Sequence, residues 1–103
     1  MCDTFADLGD IHCRKMFGGY GVYCDGLMFG LVADDVLYLK AGPGNAELFR
    51  EKELEQFEYP RGGKMIKMSY YQAPEVIFED QQEAVSWGRK SVDCARSAKK
   101  NKI

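Results

Sequence analysis

The sequence is poor in the residues from which metal sites and many active sites are built. One histidine, His12, stands among 103 residues, and the four cysteines, Cys2, Cys13, Cys24 and Cys94, form no Cys-x-x-Cys pair. A tetrahedral metal site needs clustered thiolate and imidazole ligands, so no metal and no cofactor is expected. Two disulfides would need an oxidising compartment, and nothing here signals export, so the cysteines are expected as free thiols behaving like small hydrophobes. No apolar run approaches the roughly 20 residues that span a bilayer. The opening MCDTFADLGD is short and acidic, without the basic and apolar regions of a signal peptide. A cytoplasmic location and no membrane partner are therefore expected.

What remains is enough for one folded domain. Hydrophobic residues make up 46% of the chain and aromatic residues 13%, far from a disordered composition. The length suits a single modest core, so residues 1–103 are read as one domain. The formal net charge of -2 is unevenly spread. Residues 89–102 carry six basic groups against one acid, and the rest carries eight basic groups against fifteen acids. The basic set includes Arg89, Lys90, Arg96, Lys99 and Lys100. Such a tail suits a nucleic-acid contact or a helix end whose cations complement the macrodipole. The second reading is favoured, because an acidic body repels a phosphate backbone.

Residues 14–40 read RKMFGGYGVYCDGLMFGLVADDVLYLK, and their pattern is that of a β-meander. From Cys13 the pattern is strand-like and ends in a bend or bulge at Gly18-Gly19. Tyr20 to Cys24 is a second short strand or the continuation of the first. Asp25-Gly26 is a two-residue hairpin signal, since a type I′ turn needs positive φ at both central positions. Leu27 to Ala33, a turn at Asp34-Asp35, and Val36 to Lys40 complete the meander. In the last strand Val36, Tyr38 and Lys40 share one face, and Leu37 and Leu39 the other.

Short helical character is expected over residues 3–8, and a helix from Ala46 capped by Asn45. A hairpin follows, with strands at Phe57 to Pro60 and Met65 to Tyr71 joined by Arg61-Gly62-Gly63-Lys64. Pro74 opens a helical turn. From about Asp80, the spacing of Ala84, Trp87, Ser91, Ala95 and Ala98 predicts an amphipathic helix laying a small-residue face on the sheet.

Candidate chemistry is thin. His12 and Cys13 are neighbours on an extended segment, so they point to opposite faces and make a poor dyad. Gly18-Gly19-Tyr20-Gly21 is followed by a strand, whereas phosphate-binding glycine loops lead into a helix. No carboxylate pair has a spacing suited to acid–base work. Six tyrosines remain, interleaved with Lys15, Lys40 and Lys67. They suit cross-strand pairing within the sheet, a protein interface, or stacking on single-stranded nucleic acid. Lys15, Tyr20, Tyr38, Tyr70 and Tyr71 are taken as the candidate interaction surface, and Arg89, Lys90, Arg96, Lys99 and Lys100 as the alternative nucleic-acid contact.

These pieces in this order resemble the N-terminal domain of the TfoX/Sxy family, bacterial proteins linked to natural competence. The matching stretches are RKMFGGYGVY at 14–23, DGLMFGLVADDVLYLK at 25–40, the Phe57/Tyr59 strand with Gly63-Lys64, MSYYQAPE at 68–75, and the helix carrying Trp87. The Ala41 to Asn45 loop is more glycine-rich than the family pattern, and the first helix is clipped. The resemblance implies an α+β fold: an antiparallel sheet, β-meander plus hairpin, packed with helices, like secretion chaperones and YgaC-type proteins. It implies a regulatory or interaction module rather than an enzyme, with another protein or a second copy as partner. It also implies that full-length members carry a second, helical domain, of which this chain is expected to hold only the first.

Overall fold

The computed structural model describes the backbone of Phe5, residues 8–16 and residues 19–100, with the side chains of those residues except 16 and 98–100. Turn chemistry sets the order of the strands. Asp25 and Gly26 sit at φ 50° and 84°, the positive values that match the twist of a two-residue hairpin. Asp34 and Asp35 do the same at φ 51° and 63°, using the tolerance of Asp for the left-handed region. Four antiparallel strands result: β1 (Ile11–Met16), β2 (Gly19–Cys24), β3 (Leu27–Ala33) and β4 (Val36–Lys40). A helix, α1 (Ala46–Glu51), leads into the hairpin of β5 (Gln56–Arg61) and β6 (Lys64–Gln72). A short turn of helix, α2 (Val76–Glu79), precedes the long α3 (Gln81–Lys100).

The six strands form one antiparallel sheet in the order β1-β2-β3-β4-β6-β5. The hairpin therefore joins the meander through its second strand, with Tyr38, Leu39 and Lys40 opposite Gln72, Tyr71 and Tyr70. The α+β class and the meander-plus-hairpin layout stand as expected, with strand limits moved by one or two residues. Of the expected helix over residues 3–8, only Phe5 and Leu8 are described; the rest lies outside the described residues.

The helices cover one face of the sheet. Val22, Cys24, Phe29, Val32, Leu37 and Leu39 point into the core from the strands, and Phe49, Ile77, Ala84, Trp87, Val92 and Ala95 meet them from the helices. Phe49 stacks on Tyr71 at 5.3 Å and meets Trp87 at 5.2 Å between centroids. Asp80 caps α3, its Oδ1 accepting from the Gln82 N–H at 2.9 Å, a satisfied helix N-terminus. The small-residue face expected of this helix is seen in Ala84, Ser91 and Ala95, all buried.

Two local expectations are corrected. Of the bend or bulge expected near Gly18 to Gly21, the bend stands, since β1 ends at Met16 and antiparallel β2 begins at Gly19. No bulge forms there, because Gly19 pairs with Met16 and Ala33, and Gly21 with Arg14 and Leu31, in unbroken register. Gly18 lies outside the described residues. The irregularity falls later, between Val22 and Tyr23, where Phe29 is the extra residue on β3. The second correction is at Asn45, which makes no side-chain cap to α1. Its Oδ1 accepts from the Gly42 N–H at 2.8 Å and its Nδ2 donates to the Lys40 carbonyl at 3.1 Å. It ties off the loop instead.

Candidate interaction face of the sheet

A sheet with one face on a core normally shows polar side chains on the other. Here the second face carries a band of aromatic and apolar side chains, with Lys40 and Arg14 laid over its rings. Tyr38 alternates with the core residues Leu37 and Leu39, so it points away from the helices. Its cross-strand partner Leu31 shares that side. Leu31 and Tyr70 are only 8% and 4% exposed, yet neither belongs to the core cluster. They are buried by neighbours on the uncovered face itself.

The contacts run across the sheet. Tyr70 on β6 reaches over β4 towards β3, its hydroxyl 3.5 Å from the Met28 carbonyl, at the outer limit of a hydrogen bond. Lys40 Nζ lies 5.2 Å from the Tyr70 ring centroid, and Arg14 Cζ lies 5.9 Å from that of Tyr23, both within cation–π range. Tyr38 meets Phe57 at 4.8 Å, and Phe57 meets Tyr59 at 6.4 Å. Ile66, opposite Tyr59, and Met68 complete the surface. Burial pushes the Tyr70 phenol from 10.0 up to about 12, with Tyr23 adding to the shift. Burial, then Glu55 and Asp34, raises Tyr38 as well. Both phenols are neutral donors at physiological pH.

The five sequence-derived surface residues are divided by the sheet. Tyr38 and Tyr70 lie on the uncovered face. Tyr20 is half-buried against the core, Tyr71 stacks on Phe49, and Lys15, opposite Tyr20, is exposed on the helix side. They do not form one patch. Sequence reasoning left out Phe57, Leu31 and Met28. The signal available was strand parity: Tyr70 and Tyr71 are adjacent and cannot share a face.

Arg89, Lys90 and Arg96 are exposed on α3, and Arg96 pairs with Asp93 at 3.6 Å. The side chains of Lys99 and Lys100 lie outside the described residues.

His12 lies on the uncovered side at the β1 edge, its Nε2 3.1 Å from Asp10 Oδ2, with both side chains well exposed. Cys13 points to the opposite face and is disulfide-bonded, so the two residues form no dyad. The expectation of free thiols holds at Cys24 and Cys94 and fails at Cys13. Burial raises both free thiols; Asp25 adds to Cys24, while the Gly44 backbone N–H partly offsets the rise at Cys94. Both are therefore protonated and weakly nucleophilic.

Among the described residues, no group of three or more His, Cys, Asp or Glu is placed to hold a metal ion. Among the same residues, no helix is long and apolar enough to cross a membrane.

Comparison with known proteins bears on this fold. The model of the TfoX N-terminal domain matches residues 3–95. Protein Sxy of Escherichia coli (strain K12) is 29% identical over 97 residues, which cover 94% of this chain and 46% of that protein. DNA transformation protein TfoX1 of Aliivibrio fischeri is 31% identical over 70 residues, covering 68% of this chain and 34% of that protein. The chain thus spans about half the length of the first relative and a third of the second.

Proposed function

We infer that this chain, which belongs to the TfoX N-terminal domain family, is a small regulatory module that acts through protein contacts made on the uncovered face of its sheet. The observation that carries the reading is the outward set Tyr38, Phe57 and Tyr59, half-exposed aromatic side chains lying over the buried Leu31 and Tyr70 where a solvated face is ordinarily polar. Tyrosine and phenylalanine are the residues that protein interfaces favour. The partner is another protein or a second copy. The relative named as a DNA transformation protein supports a role in the control of DNA transformation. A cytoplasmic location goes with that role. The disulfide at Cys13 pulls the other way, since disulfides persist in oxidising compartments; thiol trapping in intact cells decides between them.

Nucleic-acid binding is the second reading, supported by the exposed cations Arg89, Lys90 and Arg96 on α3. Against it, the Tyr70 ring is buried with Lys40 over its face, which removes it as a stacking platform. The test pairs two assays. Tyr59→Lys is expected to lower transformation frequency in cells that depend on the protein. Retardation of single- and double-stranded DNA at low salt is expected to be absent. DNA binding that falls with salt and disappears in R89E/K90E/R96E, with Tyr59→Lys silent, replaces this reading by the second.

A further inference from the structure

A second feature lies where the sheet ends, between the β3–β4 turn and α2. An open groove of about 350 Å³ runs there. Its apolar lining includes Val36, Leu37 and Phe78, and its rim carries Asp35, Glu75 and Glu79. On the short α2, Ile77 enters the core at 2% exposure, and the next residue, Phe78, is turned out at 50%. Phe78 and Met65 are the exposed large hydrophobic residues among those described. None of the ion pairs among the described residues uses Asp35, Glu75 or Glu79. No lysine or arginine lines the groove.

We propose that this groove docks a cationic segment of a partner protein, with an apolar side chain of that segment lying on Phe78 and flanking lysine or arginine side chains meeting Asp35, Glu75 and Glu79. Charge complementarity selects the occupant. Three unpaired carboxylates repel nucleic acid and anionic membrane and attract a basic peptide. A second copy offers cations on α3 with no exposed apolar side chain beside them, and one mixed segment, the β5–β6 hairpin with Arg61, Lys64 and Lys67 around Met65. Occupancy by that segment of a second copy is the outcome that sedimentation reads. The proposal does not rest on the tyrosine face, which the groove only adjoins at Val36.

The test is selection of twelve-residue peptides from a random library on the full chain, followed by affinity measurement with the enriched peptides. Expected are peptides with lysine or arginine on both sides of a leucine, isoleucine, phenylalanine or tryptophan. Their binding should fall at least tenfold in F78S and in E75K/E79K, and should weaken as salt rises. Peptides remade with glutamate for lysine should bind E75K/E79K and not the parent. Tyr59→Lys, on the tyrosine face, should leave the affinity unchanged. Failure to enrich such peptides, or enriched peptides indifferent to F78S and E75K/E79K, overturns the proposal. Sedimentation that shows a dimer lost in F78S also overturns it, by giving the groove to a second copy. Thermal melts of F78S and E75K/E79K matching the parent establish that the losses are local.

Discussion

Tyr38 and Phe57 hold their ring centroids 4.8 Å apart although β6 lies between their strands in the sheet. Side chains two strands apart stem from backbones roughly 10 Å apart, so both rings lean inward across β6. This contact carries the aromatic surface from the meander to the edge strand β5, where Tyr59 extends it. Phe57→Ala removes the bridge. Phe57 is half-buried, so a loss of about 1–2 kcal/mol is expected, below the range for a fully buried phenylalanine. Chemical denaturation checks the value. Any protein partner of the uncovered face should be lost with it.

Gly19 is required by contact, not by backbone angle. A Cβ built there would lie 1.8 Å from the Val32 carbonyl oxygen, so β2 and β3 would have to part. Gly19→Ala is expected to destabilise by more than about 3 kcal/mol, beyond the usual range for single substitutions. Gly44→Ala is the control. No heavy atom comes within 4 Å of a Cβ at that position, and an effect within about 0.5 kcal/mol is expected. Thermal melts of the two variants measure the contrast.

Asn45 is 1% exposed and serves three partners. Its Oδ1 accepts from the Gly42 N–H and from Cys94 Sγ at 3.3 Å, while its Nδ2 donates to the Lys40 carbonyl. Asn45→Ala leaves the Gly42 N–H without its acceptor inside a packed loop. A loss of about 2–3 kcal/mol is expected from unsatisfied buried groups. Calorimetry checks it, and Cys94 should then react faster with a thiol reagent.

Tyr70 makes stability depend on alkaline pH. Its folded phenol is raised from 10.0 to about 12, so the unfolded chain loses this proton first as pH rises. The contribution is complete below about pH 10 and is lost as pH climbs towards 12. By linkage it amounts to roughly 2–3 kcal/mol. Tyr70→Phe should flatten the fall in stability between pH 10 and 12 relative to the parent, as read by urea midpoints across that window.

The meander was legible because turn chemistry and alternation are local. Asp25-Gly26 announces its hairpin through the φ values the turn needs. The faces of Val36 to Lys40 follow from period two alone. Which strand of the hairpin joins the meander was not legible. Either edge of a two-stranded unit offers free N–H and C=O groups, and tertiary packing decides that β6 takes the place beside β4. The uncovered face escaped for a related reason. Alternation gives parity within one strand, but relating Tyr20 to Tyr38 needs the register of β2, β3 and β4 and the bulge at Phe29. Tyr70 and Tyr71 were separable from sequence alone. Phe78 was not, because its exposure depends on the direction in which a single helical turn leaves the sheet.

Photo-crosslinking in cells tests the role of the uncovered face most directly, with benzoylphenylalanine placed at Tyr59 in one variant and at Lys90 on α3 in another. A discrete protein adduct from position 59, absent in the Phe57→Ala background, and no adduct from position 90 is the result predicted. A nucleic-acid adduct from position 90 with none from position 59 would contradict it.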